Sequence, residues 1–92
     1  MKVLVKAFAT FREVMDSQID MDLVEGSTIL TLLDELTGRY TGLGEMMFDA
    51  KGTLRNFINI LRNGRNVQFL AGLETPLSDG DVIALFPPLA GG

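Results

Sequence analysis

Residues 18–40, Gln18-Ile19-Asp20-Met21-Asp22-Leu23-Val24-Glu25-Gly26-Ser27-Thr28-Ile29-Leu30-Thr31-Leu32-Leu33-Asp34-Glu35-Leu36-Thr37-Gly38-Arg39-Tyr40, change their hydrophobic period once, at Glu25-Gly26. Before the break, Ile19, Met21 and Leu23 alternate with Gln18, Asp20 and Asp22. That pattern predicts a half-buried strand, apolar side inward and acidic side outward. After the break, Ile29, Leu32, Leu33, Leu36 and Tyr40 fall at i, i+3, i+4, i+7 and i+11, which is one apolar stripe on a helix. Asp34 and Glu35 lie off the stripe. Ser27 or Thr28 suits the N-cap, because a side-chain oxygen there accepts from an orphan N–H of the first turn. Gly38 weakens the last turn and Gly42 lies beyond it.

Upstream, Lys2-Val3-Leu4-Val5-Lys6-Ala7-Phe8 is β-rich and partly alternating, so it reads as a strand, and Ala9 to Ser17 as a connection. Downstream, residues 41–55 read as irregular, with three glycines and a Met46-Met47-Phe48 cluster that suits a satellite of the core. Asn56 to Arg62 reads as a strand. Asn63-Gly64 is a hairpin signal, since both residues tolerate the positive φ of a tight turn. Val67-Gln68-Phe69-Leu70 reads as the return strand. Thr75-Pro76-Leu77-Ser78-Asp79-Gly80 reads as a pair of turns, and Asp81 to Phe86 as the last strand. Pro87-Pro88 ends it, because proline donates no ladder hydrogen bond. The order is ββαβββ: an α+β roll with one main helix packed on one face of a mixed sheet. Its other face must meet solvent or a partner. Residues 1–86 form the domain and 87–92 an extended tail.

Composition narrows the function. The chain has 92 residues, enough for one domain and one core. With 47% apolar and 22% charged residues it is globular rather than disordered. It has no cysteine and no histidine, which excludes disulfides, thiolate catalysis and zinc–thiolate sites and removes the commonest general base. No bound cofactor or metal is expected. A net charge of −4 disfavours nucleic acid, whose phosphates would be repelled. No apolar run is long enough to cross a membrane. Met1 leads straight into an alternating strand with no visible signal peptide, so a cytoplasmic protein is expected.

Two features point to function. The first is the tail, Pro87-Pro88-Leu89-Ala90-Gly91-Gly92, which extended would reach roughly 20 Å from the domain. Its root is stiff and its tip lacks side chains, so the tip can enter a narrow channel and present the Gly92 carboxylate. The bland reading is a frayed terminus. The second is the open sheet face. With Val3, Val5 and Ala7 facing the helix, Phe8 faces out; likewise Leu61 with Ile60 inward, and Phe86 with Leu85 inward. Phe8, Leu61 and Phe86 would then share an exposed apolar patch at the root of the tail, the kind that docks a protein partner. The bland reading is a covered sheet edge or a parity slip at a bulge. Asp20 and Asp22 read as a solvated face. Asp79 and Asp81 read as turn chemistry, and Arg62 and Arg65 as surface charges that discourage edge pairing. No catalytic constellation or phosphate loop is present. The residues describe a small binding or carrier domain with a functional C-terminus.

Phe8-Ala9-Thr10-Phe11-Arg12-Glu13, the helix approach Glu25-Gly26-Ser27-Thr28, the turn Asn63-Gly64, and above all Thr75-Pro76-Leu77-Ser78-Asp79-Gly80-Asp81 leading to Phe86-Pro87-Pro88-Leu89-Ala90-Gly91-Gly92 carry a resemblance. The chain resembles the ubiquitin-like β-grasp sulfur carriers, most closely their molybdopterin synthase small-subunit (MoaD-like) branch, over nearly its whole length. The resemblance implies that Gly92 is adenylated at the expense of ATP by a separate adenylating enzyme (MoeB-like, of the ubiquitin-activating type). A sulfur donor then displaces the nucleotide to leave a thiocarboxylate. The molybdopterin synthase large subunit would use that sulfur for the dithiolene of the molybdenum cofactor. Gly91 would let the tip thread the partners' sites, and the outward hydrophobics matching Phe8 and Phe86 would dock on them, with Pro87, Pro88, Leu89 and Ala90 alongside. Leu61 comes from parity alone. The longer 41–55 segment, and Asn66 where the family often places an apolar contact, depart from the pattern. The chain would be a carrier subunit with no catalysis of its own. Three alternatives stand beside this one. The thiamin-pathway carrier is disfavoured by length and by Pro87-Pro88. A protein modifier would join Gly92 to target-protein lysines, with or without sulfur carriage. A plain β-grasp interaction module would make no use of Gly91 and Gly92.

Overall fold

A computed structural model of the chain describes residues 1–88. Its centre is a parallel pair, β1 (Lys2–Ala7) and β5 (Val82–Phe86), in register from Leu4↔Val82 to Ala7↔Leu85. Strand β2 (Gln18–Asp22) runs antiparallel to β1, from Lys2↔Asp22 to Lys6↔Gln18. On the other flank β3 (Asn59–Arg62) runs antiparallel to β5, and β4 (Arg65–Asn66) antiparallel to β3. The mixed five-stranded sheet has the order β2-β1-β5-β3-β4. Helix α1 (Ile29–Arg39) covers one face, giving the expected ββαβββ roll.

The alternation of β1 and β5 explains the centre. Val3, Val5, Ala7, Ile83 and Leu85 point to the helix and are almost fully buried. The helix returns Ile29, Leu32, Leu33 and Leu36, all fully buried, as its apolar period requires. Each such side chain contributes about 2 kcal/mol by leaving water. Thr28 is the N-cap: its hydroxyl accepts from the Thr31 N–H at 3.4 Å, and the Thr31 hydroxyl accepts from the Thr28 N–H at 3.3 Å. At the other end Tyr40 packs on the core, and its hydroxyl lies 3.1 Å from Asp16. Burial, with the hydrogen bond and charge of Asp16, raises the Tyr40 pKa above its ordinary value.

Three local readings differ from the sequence expectation. Residues 43–47 are helical rather than irregular: Leu43 and Met47, four apart, are both fully buried and draw α2 (Leu43–Met47) onto the core. Met46 and Phe48 pack against that core as a satellite. Strand β3 begins at Asn59, not Asn56, because Phe57 takes φ +67° and breaks the extended run. The return strand is Arg65–Asn66 rather than Val67–Leu70. The chain turns into a 3₁₀ helix at Val67–Phe69, where the Asn66 side chain accepts from the Gln68 N–H at 2.9 Å. Val67 is buried while Phe69 is 79% exposed, although a strand would place both on one face. The Asn63-Gly64 turn forms as expected, with φ of 51° and 84°.

Candidate functional site

The open face of the sheet is set by strand parity. In β1 the residues between the buried ones are Leu4 and Lys6, and Phe8 continues the row just past the strand end. In β5 they are Val82, Ala84 and Phe86. Because β1 and β5 are parallel and in register, Phe8 and Phe86 arrive side by side. Their rings stack with centroids 4.3 Å apart and planes 9° from parallel. The Phe8 N–H donates to the Leu85 carbonyl at 3.1 Å, which fixes the backbone beneath the pair. Such a ring pair contributes about 1 kcal/mol beyond its area.

A cation frames the pair. The Arg12 guanidinium sits 5.3 Å from the centre of the Phe8 ring, and its Nε donates to the Ala7 carbonyl at 2.9 Å. Arg12 reaches this position because Ala9 adopts φ 53° and Phe11, fully buried, pins the 3₁₀ turn Ala9–Glu13 to the core. Leu61 lies one cross-strand row away, opposite Ala84 in β5, with Lys6 across β5 in the same row. Phe8, Leu61 and Phe86 are all half-buried on this face. The sequence patch therefore exists as a stacked aromatic pair with Leu61 beside it. The place of Arg12 over Phe8 depends on a turn that strand parity does not describe.

The strand carrying Phe86 runs straight into the tail root. Pro87 is buried and Pro88 exposed. Leu89, Ala90, Gly91 and Gly92, singled out from sequence, lie outside the described residues. Just before β5 the chain is held by Asp81, which is buried. Its carboxylate accepts from Arg62 Nε at 2.8 Å, from Asn63 Nδ2 at 2.9 Å and from the Ser78 N–H at 2.8 Å. Burial pushes the Asp81 carboxyl up, but the hydrogen bonds from Arg62, Ser78 and Asn63, with the Arg62 charge, outweigh it and hold the pKa below the usual carboxylate range. Asn63 Oδ1 also accepts from the Val82 N–H at 2.8 Å. Arg62 is thus tied to the start of β5 rather than free on the surface, and the hairpin turn locks the strand that carries Phe86. Asp79 has a similar duty, accepting from the Lys2 N–H at 2.7 Å. Asp20 and Asp22 are both exposed on β2, and no group of three metal-ligating side chains occurs among the described residues. Nor is any helix among them long and apolar enough to cross a membrane.

A family model, that of the ThiS family, matches residues 5–92. The chain belongs to the ThiS family. Among curated relatives of this ThiS-family chain, small archaeal modifier protein 3 of Haloferax volcanii is 38% identical over the full length of both chains. The sulfur carrier protein CysO of Mycobacterium tuberculosis is 36% identical over 73% of this chain and 74% of its own. Among solved structures, that of SAMP1 from Haloferax volcanii superposes with a TM-score of 0.89 at 34% identity, covering all of both chains. The fold is the ubiquitin-like β-grasp, and the family is one of ubiquitin-like sulfur carriers and modifiers.

Proposed function

We propose that this chain is a sulfur carrier whose business end is Gly92. The observation that carries the reading is the stacked Phe8–Phe86 pair, flanked by Leu61, at the root of a tail ending Pro87-Pro88-Leu89-Ala90-Gly91-Gly92. A fixed apolar face docks an adenylating enzyme, and the tail delivers the carboxylate to that enzyme's ATP. The Gly92 carboxylate oxygen attacks the α-phosphorus, pyrophosphate leaves, and an acyl-adenylate forms. Sulfide then adds to the acyl carbon, AMP departs, and a thiocarboxylate remains. Gly91 keeps the tip narrow enough to thread both sites. The thiocarboxylate sulfur goes to the molybdopterin precursor on a synthase large subunit; the resemblance of the Phe86-to-Gly92 segment to that branch supports this destination. The ATP belongs to the activating enzyme, and the carrier itself holds no cofactor.

The full-length likeness to small archaeal modifier protein 3 favours a second use of the same activated carboxylate, an isopeptide bond to a target-protein lysine. Intact mass spectrometry tests the shared chemistry. The chain is incubated with ATP, an adenylating enzyme of the carrier type and a sulfide source. We expect one C-terminal oxygen to be exchanged for sulfur, only with ATP. An unchanged mass, with that enzyme proven active on another carrier, would sink the proposal. Supplying the thiocarboxylate form to a synthase large subunit with its pterin precursor, and in parallel to cell extract, separates dithiolene formation from lysine conjugates.

A further inference from the structure

Beyond the open face, a second surface occurs at the β3–β4 flank. An open groove of about 590 Å³ runs between residues 54–60 and the 3₁₀ segments that follow β4. Its floor is apolar, made by Ile58, Ile60, Val67 and Leu73. Its rim carries the amide side chains of Asn56, Asn59 and Gln68. Strand β4 runs beside only Leu61 and Arg62, so Asn59 and Ile60 have a strand on one side only among the described residues. The Asn63 N–H goes to Val82, so odd-numbered residues here direct their backbone groups at β5. The backbone of Ile60, the even-numbered residue of β3 that β4 does not reach, is therefore directed at the groove, as an open sheet edge would be.

Two features say what this edge is built to meet. Phe57 stands at the groove 78% exposed with φ +67°. A bulky side chain in the left-handed region is strained, and here the strain is not offset by burial of the ring. Strain held in an exposed aromatic residue is a mark of a binding anchor. The second feature is charge. The chain has more acidic than basic residues, 12 against 8, yet among the described residues Arg55 is the one charged residue lining the groove. Arg55 Nε donates to the Glu45 carbonyl at 2.8 Å, which holds the guanidinium in place, and no carboxylate lies within ion-pair distance of it among the described residues. A guanidinium fixed at one nitrogen, with its outer fork open, suits a carboxylate.

We propose that this groove takes an extended segment of a partner protein, laid along the uncovered edge of β3, with a carboxylate on Arg55 and an apolar side chain against Phe57. The edge of β3 at Ile60 supplies backbone hydrogen bonding, the floor takes apolar side chains, and Arg55 selects acidic segments over basic ones. The surface lies one strand over from Phe86, since Asn59 pairs with Phe86, so a segment held there sits beside the tail root. The inference does not depend on sulfur chemistry at Gly92.

The test is an amide-resolved NMR titration of the full chain with two blocked pentapeptides, Val-Glu-Leu-Glu-Val and Val-Lys-Leu-Lys-Val. Saturable shifts are expected at Phe57, Ile58 and Gln68, with the glutamate peptide binding about tenfold more tightly. Arg55→Glu should reverse the preference. Phe57→Gly should weaken the glutamate peptide by a similar factor without lowering the thermal midpoint, since glycine relieves the strain. Shifts centred on Phe8 and Phe86, equal affinity for both peptides, or no saturable shift would each overturn the proposal. So would groove shifts that grow with protein concentration alone, because the occupant would then be a second copy of the chain.

Discussion

The molecule presents phenylalanines in two ways. Phe86 ends β5 and Phe8 follows the end of β1, two parallel strands in register; the rings stack at 4.3 Å and are half-buried. Phe57, on irregular chain, and Phe69, at the end of a 3₁₀ turn, flank β3 and β4, 78% and 79% exposed, and Phe57 is in the left-handed region. The first pair is positioned by the sheet and would stay if the surroundings changed. The second is held only by what flanks it. Regular structure makes a surface that is rigid and pre-organised; irregular structure makes one that keeps its aromatic area free for a partner.

The comparison can be broken from several sides. The largest effect should come from deleting Gly92. Thiocarboxylate formation should vanish in the mass-spectrometric assay, while the unfolding midpoint and peptide binding at the groove stay unchanged; retained sulfur exchange would remove Gly92 from the chemistry. Next is Phe86→Asp, which should weaken binding to the adenylating enzyme by about 2 kcal/mol or more, as for a central hot-spot residue. Phe57→Asp should leave that affinity alone. Isothermal titration of both variants decides it, and equal losses would mean that the two aromatic surfaces act as one.

Asp81→Asn tests the lock that aims β5. It leaves the guanidinium of Arg62, whose side chain is 29% exposed, without its ion-pair partner, so a stability loss of about 2 kcal/mol is expected in urea unfolding. The pH response gives the sign. The Asp81 pKa is lowered on folding, so its contribution is fully present above the ordinary carboxylate pKa and is lost as pH falls through the folded-state value. The wild-type chain should therefore lose more stability than Asp81→Asn between neutral and strongly acidic pH; parallel acid curves would refute the lock. The smallest effect should be Phe57→Gly, with stability unchanged or raised by up to about 1 kcal/mol. Against it, Phe8→Ala should lose about 1 kcal/mol of ring stacking. If Phe57→Gly were the more destabilising of the two, the contrast between a seated and an offered aromatic would fail.

Much of this was readable from the residues. The switch of period at Glu25-Gly26 located β2 and α1, and parity on β1 and β5 put Phe8 and Phe86 on the open face. Both depend on local repetition, which the chain cannot hide. The Val67–Leu70 segment was misread because four apolar or amide residues carry no clear period, and the Asn66 side chain tipped the backbone into a 3₁₀ turn. Arg62 was misread because its partner, Asp81, is nineteen residues away. A turn composition that looked like ordinary loop chemistry is a buried anchor.

The sequence by itself determined which residues are inside, because burial follows from periodicity and periodicity is a one-dimensional property. It also displayed the Gly91-Gly92 tip, which is a matter of composition and order alone. Only the tertiary structure decided that β1 and β5 would be parallel neighbours, and hence that Phe8 and Phe86 would meet across 77 intervening positions to form one ring pair. It alone seated Arg12 over that pair, tied Arg62 to Asp81, and left Asn59 and Ile60 of β3 without a strand on their outer side among the described residues. The reason is physical. Contacts between distant residues depend on register and on where the chain turns, and those are settled by the competition of all the strands for one core, not by any one of them.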